Sequence, residues 1–317
     1  GNYNVVGKMA LAGRNKQEAW DQWYTGRFNI KPFKGLSIKG DYSWNRYSAS
    51  RKVHRKEMTQ TFPEGAATWT VESPNYVQNK NSNDIYQALN VWAEYQKSFK
   101  NAHNMVLMAG YNQEQKTLAS TSYKMSNLYD NELPISDLAI NYLENSETKD
   151  IWKVQGAFFR LNYDYQSKYL MEVNGRYDGS SKYAKDHRWA FFPSASVGWR
   201  ISEEKFFKPL TKYVDNLKIR ASFGALGNQV TEGYHDYMSY LSGKVLSNYM
   251  MNGAIVNGLD IPTLPSLVTW EKVITKDVGL DWSLFNNRLF GSFDFYVRDT
   301  KNMVRSVVLP AVLGTSG

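Results

Sequence analysis

Apolar and polar residues alternate with period two along much of this chain, most clearly between Phe159 and Ile201. Ala157, Phe159, Leu161, Tyr163 and Tyr165 alternate with Phe158, Arg160, Asn162 and Asp164. Tyr169, Met171, Val173, Gly175 and Tyr177 alternate with Leu170, Glu172, Asn174, Arg176 and Asp178. Ala195, Val197, Trp199 and Ile201 then alternate with Ser194, Ser196, Gly198 and Arg200. Successive side chains of a strand point to opposite faces, so each segment reads as a strand with one apolar and one polar face. The polar faces carry full charges, which suits an outer face in lipid and an inner face in water.

The same pattern predicts strands at Trp20–Lys31, Leu36–Asn45, Ile85–Phe99, Met105–Lys116, Leu217–Phe223, Glu271–Leu284 and Leu289–Arg298. Residues 1–16 are ambiguous, with Val5–Ala12 a loop or a short strand. Phe33-Lys34-Gly35 fits a three-residue hairpin loop with Gly35 in the left-handed position. That register sets Tyr24 beside Trp44 and Phe28 across from Gly40, where the ring covers the bare backbone. Connections near Lys34, Asn101, Gln166 and Asn287 are short. Those after Asn45, Lys116, Asp178, Gly227 and Arg298 are long or fairly long, the first two spanning Tyr47–Asn83 and Thr117–Asp150. Ser202–Asn216 is a medium link with a predicted short helix at SEEKFF, and one or two helical turns fit Ile135–Leu143. Short turns at one end of a meander and long loops at the other are the mark of an outer-membrane barrel. A propeller would repeat its loops every four strands, and no such repeat is present. The predicted fold is therefore all-β: an antiparallel up-and-down transmembrane β-barrel, here a partial barrel of about ten strands forming a single domain over 1–317. Its aromatics mark two interfaces, with Tyr163, Tyr165, Tyr169, Trp199 and Trp282 near short turns and Trp20, Tyr24, Tyr42 and Trp44 near long loops.

Composition narrows the reading. Of 317 residues 42% are hydrophobic and 15% aromatic, and no run approaches a transmembrane helix, which leaves a β-barrel open. There is no cysteine, so disulfides and thiolate metal sites are excluded. His54, His103, His187 and His235 show no metal-ligand spacing. The net charge of +8 is spread along alternating faces, which argues against a nucleic-acid interface. Its one dense cluster is Arg51, Lys52, His54, Arg55 and Lys56, in a predicted loop that is either simply solvated or in contact with lipopolysaccharide phosphates or an anionic substrate.

Catalytic chemistry is not legible. Asp178-Gly179-Ser180-Ser181 with His187 holds acid, hydroxyl and imidazole, yet it is a good loop sequence without a nucleophile elbow. Inward carboxylates Glu94, Asp164, Asp277, Asp281 and Asp294 are better matched to inward Arg160, Arg176, Arg220 and Arg298 as ion pairs than to a glycosidase pair. Gly224–Gly227 is too weak a glycine pattern for a phosphate loop. Trp69, Tyr76, Tyr129, Trp189 and Tyr249 are candidate substrate-stacking aromatics in loops.

RLNYDYQSKYLMEVNGRYDGSSKYA (Arg160–Ala184), followed by RWAFFPSASVGWRIS (Arg188–Ser202), resembles the barrel signature of SusC-type TonB-dependent outer-membrane transporters. LKIRASFGALGNQ at Leu217–Gln229, Trp270–Met303 and LPAVLG at Leu309–Gly314 extend the resemblance over most of the chain. The resemblance implies a barrel of about 22 strands, integral to the bacterial outer membrane and in contact with lipid and lipopolysaccharide. It implies a SusD-type surface lipoprotein as lid, energy from the TonB complex through a plug domain, and an oligosaccharide or oligopeptide as cargo. It implies neither a cofactor nor an enzyme. No plug is recognisable here and there is no signal peptide, so the residues read as an internal piece of a longer precursor. Ten strands are then too few, and an open sheet with unpaired edges is expected unless other segments complete it. A siderophore-type TonB-dependent receptor is the near alternative. A secreted all-β carbohydrate-binding protein or glycosidase is the distant one, and it would need inward faces apolar enough to form a core.

Overall fold

The structure, a computed structural model, describes residues 5–61, 68–71, 73–100, 102–229, 233–234, 245–251, 254–259 and 269–303. Helix α1 (Val5–Leu11) leads into β1 (Gly13–Ile30) and β2 (Leu36–Arg55). A small hairpin follows, β3 (Met58–Thr61) with β4 (Thr68–Val71). Then come β5 (Tyr76–Phe99), β6 (His103–Leu128), β7 (Ala139–Tyr165), β8 (Tyr169–Ser180), β9 (Trp189–Arg200) and β10 (Val214–Asn228). A second small hairpin, β11 (Val245–Met251) with β12 (Ala254–Leu259), precedes β13 (Glu271–Leu284) and β14 (Leu289–Lys301). The main sheet has ten strands in the order β1-β2-β5-β6-β7-β8-β9-β10-β13-β14, and the order does not return from β14 to β1. The chain is thus an antiparallel meander, as the alternation predicts.

The strands outrun their predicted ends. β2 has 20 residues, β5 24, β6 26 and β7 27. Much of Tyr47–Asn83 and Thr117–Asp150, expected as connections, is therefore strand. These extensions, such as Thr117–Leu128, are rich in Thr, Ser, Asn and Lys. With polar residues at most positions no apolar alternation arises, so periodicity is silent there. The basic cluster at Arg51–Lys56 likewise lies largely on the end of β2, not in a loop. Residues 5–11 form a helix. SEEKFF contributes to two 3-10 segments, Ile201–Glu203 and Lys205–Leu210, the second containing Pro209. One 3-10 turn, Ser136–Leu138, lies in Ile135–Leu143. His235 and Leu309–Gly314 lie outside the described residues.

The predicted β1–β2 hairpin is present. Gly35 has φ +94°, and Phe28 lies where a Cβ on Gly40 would stand. The tight turn after β7 places Gln166 and Ser167 at φ 52° and 57°. The turn after β13 uses three left-handed residues, Phe285, Asn286 and Asn287, and the Asn287 amide donates to Asp215 at 2.9 Å. Asparagine tolerates that conformation best among residues with a Cβ.

Two compact units divide the chain. Residues 1–26, 42–88 and 115–151 form the first. It buries Met58, Val77, Ala88 and Leu128. Asn75 clamps Leu128 through both backbone groups, donating to its carbonyl at 3.2 Å and accepting its amide at 2.7 Å. Residues 27–41, 89–114 and 152–317 form the second unit, which buries Tyr183, Phe192, Phe207 and Trp270. Each buried apolar set is small. A soluble sandwich would instead hide its apolar faces between two layers.

Candidate functional site

The two faces of the second unit's sheet are chemically opposite. Register aligns Phe159, Gly175 and Pro193 on one face, and likewise Ala221, Val278 and Phe295. That face is exposed: Val278 is 55% accessible and Phe295 66%. Exposed apolar surface of this extent marks contact with lipid or protein. At its short-turn edge the rings form a girdle. Phe99 stacks on His103 at 5.0 Å, Tyr165 on Tyr169 at 6.2 Å and Tyr169 on Trp199 at 6.5 Å. Glu204, in the connection after β9, accepts from Tyr169 Oη (2.7 Å), Trp199 Nε1 (3.3 Å) and Lys168 Nζ (3.2 Å). The Tyr169 hydroxyl, Lys168 and Trp199 together hold the Glu204 carboxyl below its ordinary range, against the opposing effect of burial. Amphipathic rings with polar tips in water are the signature of a membrane interface.

The other face is a lattice of ions and amides. Arg220 on β10 is its densest node: it meets Asp277 at 3.1 Å and Asp281 at 3.3 Å on β13, and Asp294 on β14. Lys218 adds a second cation to Asp281 at 3.5 Å. Gly279 makes this possible, because a Cβ there would stand 2.5 Å from Arg220 Cζ. Lys39 pairs with Glu94 at 3.5 Å, and Asn112 donates to Asn90, which donates to Asp41 at 2.8 Å. The predicted pairing of inward charges is therefore present around Arg220. Asp164 instead accepts from Asn104 (3.1 Å) and the Ser167 amide, and Arg298 lies 5.7 Å from the Tyr296 ring.

Towards the long-connection ends of β10 and β13 this face opens into a concavity of about 540 Å³ lined by residues including Asn112, Phe158, Arg160, Asn174, Arg176, Phe192, Gln229 and Trp270. Arg176 grips Asp178 with two bonds, 3.1 and 2.9 Å, and lies 5.3 Å from the Phe158 ring. Asn174 accepts from Arg160 Nε at 2.8 Å and donates to Glu172 at 2.7 Å. Trp270 packs between Tyr183 (5.4 Å) and Phe192 (5.4 Å), and its indole donates to the Arg188 carbonyl at 2.8 Å. Burial pushes the Tyr183 phenol up to about 12, so it stays neutral. Sequence pattern alone did not single out Trp270 or Tyr183, because both lie in connections that tertiary packing brings together.

The five candidate aromatics are not gathered into one cluster. In the first unit, Trp69 lies on β4 opposite Gln60. Tyr76 opens β5 with Lys124 Nζ 4.0 Å and Arg55 5.9 Å from its ring. Tyr129 is 88% exposed. In the second unit, Trp189 begins β9 and stacks on Tyr177 at 5.1 Å, on the apolar face. Tyr249 lies on β11 opposite Val256, and its side chain is outside the described residues. Among the described residues no group of acidic or histidine side chains is arranged to hold a metal ion, and no helix is long and apolar enough to cross a membrane.

A meander with an exposed apolar face, an aromatic girdle and an ion-paired opposite face defines the wall of a membrane β-barrel. The chain belongs to the TonB dependent receptor-like β-barrel family, whose sequence profile it matches over residues 2–317. These receptors and transporters are not enzymes. The chain is 31% identical over 327 aligned residues to TonB-dependent receptor P26 of Formosa agariphila, covering 98% of this chain and 31% of that protein. It is 36% identical over 157 residues to TonB-dependent receptor SusC of Bacteroides thetaiotaomicron, covering 48% of this chain and 15% of that protein. The chain thus spans about a third or less of these relatives. Among solved structures it resembles the RagAB peptide transporter in fold, with TM-score 0.78 and 20% identity over 97% of this chain and 33% of that one.

Proposed function

We propose that this chain is part of the single transmembrane domain of a SusC-type importer in the bacterial outer membrane. The importer takes up oligosaccharides or oligopeptides, draws energy from TonB through a plug domain, and works beneath a SusD-type lipoprotein lid. The observation that carries this reading is the difference between the two faces. Phe159, Val197, Val278 and Phe295 form an apolar exterior suited to lipid, while Arg220 and its three aspartates belong to a surface suited to water and cargo. The kinship with SusC and the fold shared with a peptide transporter support the cargo class. The loop aromatics Trp69, Tyr76, Tyr129, Trp189 and Tyr249 remain substrate-contact proposals. Tyr76 is held between the cations of Lys124 and Arg55.

The test is uptake by cells expressing the full-length protein. Labelled oligopeptides or oligosaccharides should enter, and uptake should stop when TonB is removed. A lipoprotein should co-purify, with bound cargo readable by mass spectrometry. Uptake that persists without TonB would overturn the reading.

A further inference from the structure

We infer that the concavity around Arg160 is a carboxylate-receiving subsite that selects acidic oligopeptides; this rests on the transport reading above. Of the two cations among the described lining residues, Arg176 is closed on Asp178. Arg160 is paired to no described carboxylate. Among the described residues its guanidinium has one partner, Asn174, through Nε, so the Nη pair is uncommitted. Asn174 is itself fixed by donating to Glu172 at 2.7 Å and Ser194 at 3.3 Å. The guanidinium is thereby anchored at one edge while its remaining donors can form a two-bond fork to a planar carboxylate. Arg160 is also exposed and lines the concavity of about 540 Å³, room for a few residues of an extended peptide; the same lining holds two carboxylates, Asp178, which is closed on Arg176, and Glu114.

The rest of the lining favours a peptide over an acidic glycan. A sugar ring is held by stacking on an open aromatic face. Here Phe192 and Trp270 are only 6% and 4% exposed, and the Phe158 ring is approached by Arg176. Amide side chains take their place, Asn112 on one side and Gln229 on the other. Asn112, whose Nδ2 donates to Asn90, presents its side-chain oxygen as acceptor, and Gln229, whose Oε1 accepts from Trp152 and Ser180, presents its amide hydrogens as donors, so the pair supplies one acceptor and one donor for a peptide backbone.

The test measures binding of an Asp/Glu-rich fluorescent octapeptide and of its Asn/Gln counterpart to the purified full-length transporter. Wild type should bind the acidic peptide at least tenfold more tightly. Arg160→Gln should bring the preference below threefold, and Arg160→Lys, which keeps the charge but loses the fork, should restore part of it. Heat-modifiable gel migration checks that the variants assemble. If Arg160→Gln does not assemble, protection of wild-type Arg160 from phenylglyoxal by the acidic peptide, read by mass spectrometry, decides instead. Absence of any acidic preference in wild type, a preference that survives Arg160→Gln, or unprotected Arg160 would overturn the inference. Tighter, Arg160-dependent binding of an oligogalacturonate would overturn the peptide assignment. Wild type that imports peptides without acidic preference refutes this subsite alone, whereas loss of all TonB-dependent uptake refutes the transport reading.

Discussion

Phe159 and Arg160 are adjacent in β7 and point to opposite faces of the sheet, which makes them a probe of the whole assignment. A cysteine at 159 in the full-length protein should react only with lipid-soluble reagents in intact membranes, and a cysteine at 160 with water-soluble ones. Labelling of both by the water-soluble reagent would defeat the barrel. Phe159→Arg should cost about 2–4 kcal/mol near the bilayer midplane, less near an interface, read as a lowered urea midpoint. Glu204 gives a pH test. Its folded pKa is lowered, so its contribution is present above the ordinary carboxylate value of 4.5 and is lost as pH falls through the folded value. Glu204→Gln should therefore lower the unfolding midpoint at neutral pH, and the gap to wild type should close as the pH drops below 4.5. A gap that persists in acid would assign the effect to packing instead.

At the scale of elements, β10, β13 and β14 are tied by Arg220. Removing it leaves Asp277, Asp281 and Asp294 facing one another, with Lys218 the one cation still paired to them among the described residues. Arg220→Ala should destabilise by about 1–2 kcal/mol, between the limits for exposed and buried pairs, and by more than Lys218→Ala. Equal effects in urea titrations would show that the node is not cooperative. The β1–β2 hairpin rests on Phe28 covering Gly40. Gly40→Val should displace that ring and slow assembly, measured as delayed gain of heat-modifiable migration.

Across the whole molecule, legibility follows physics. The bounds of β13 could be read from alternation, because lipid on one side and ions on the other impose it on every residue. The outer halves of β6 and β7 could not, since mostly polar residues there leave no apolar alternation. The charges around Arg220 were visible as inward residues, and their pairing follows from strand proximity. Arg160's isolation was not visible, because it depends on which neighbours Arg176 and Asn174 already hold. The Tyr183–Trp270–Phe192 cluster was hidden because Tyr183 and Trp270 lie in connections, whose packing no local pattern sets.

The length of β6 and β7 has a consequence for motion. A strand of 27 residues extends about 90 Å, several times the apolar thickness it must cross. Strand ladder, rather than loose loop, therefore occupies Thr117–Leu128 and Ala139–Asp150. Amide deuteration should be slow in these segments of the full-length protein although no lipid shields them, and fast at the turn between them. The hairpin would then behave as a stiff arm, able to transmit force applied at its tip without first unravelling.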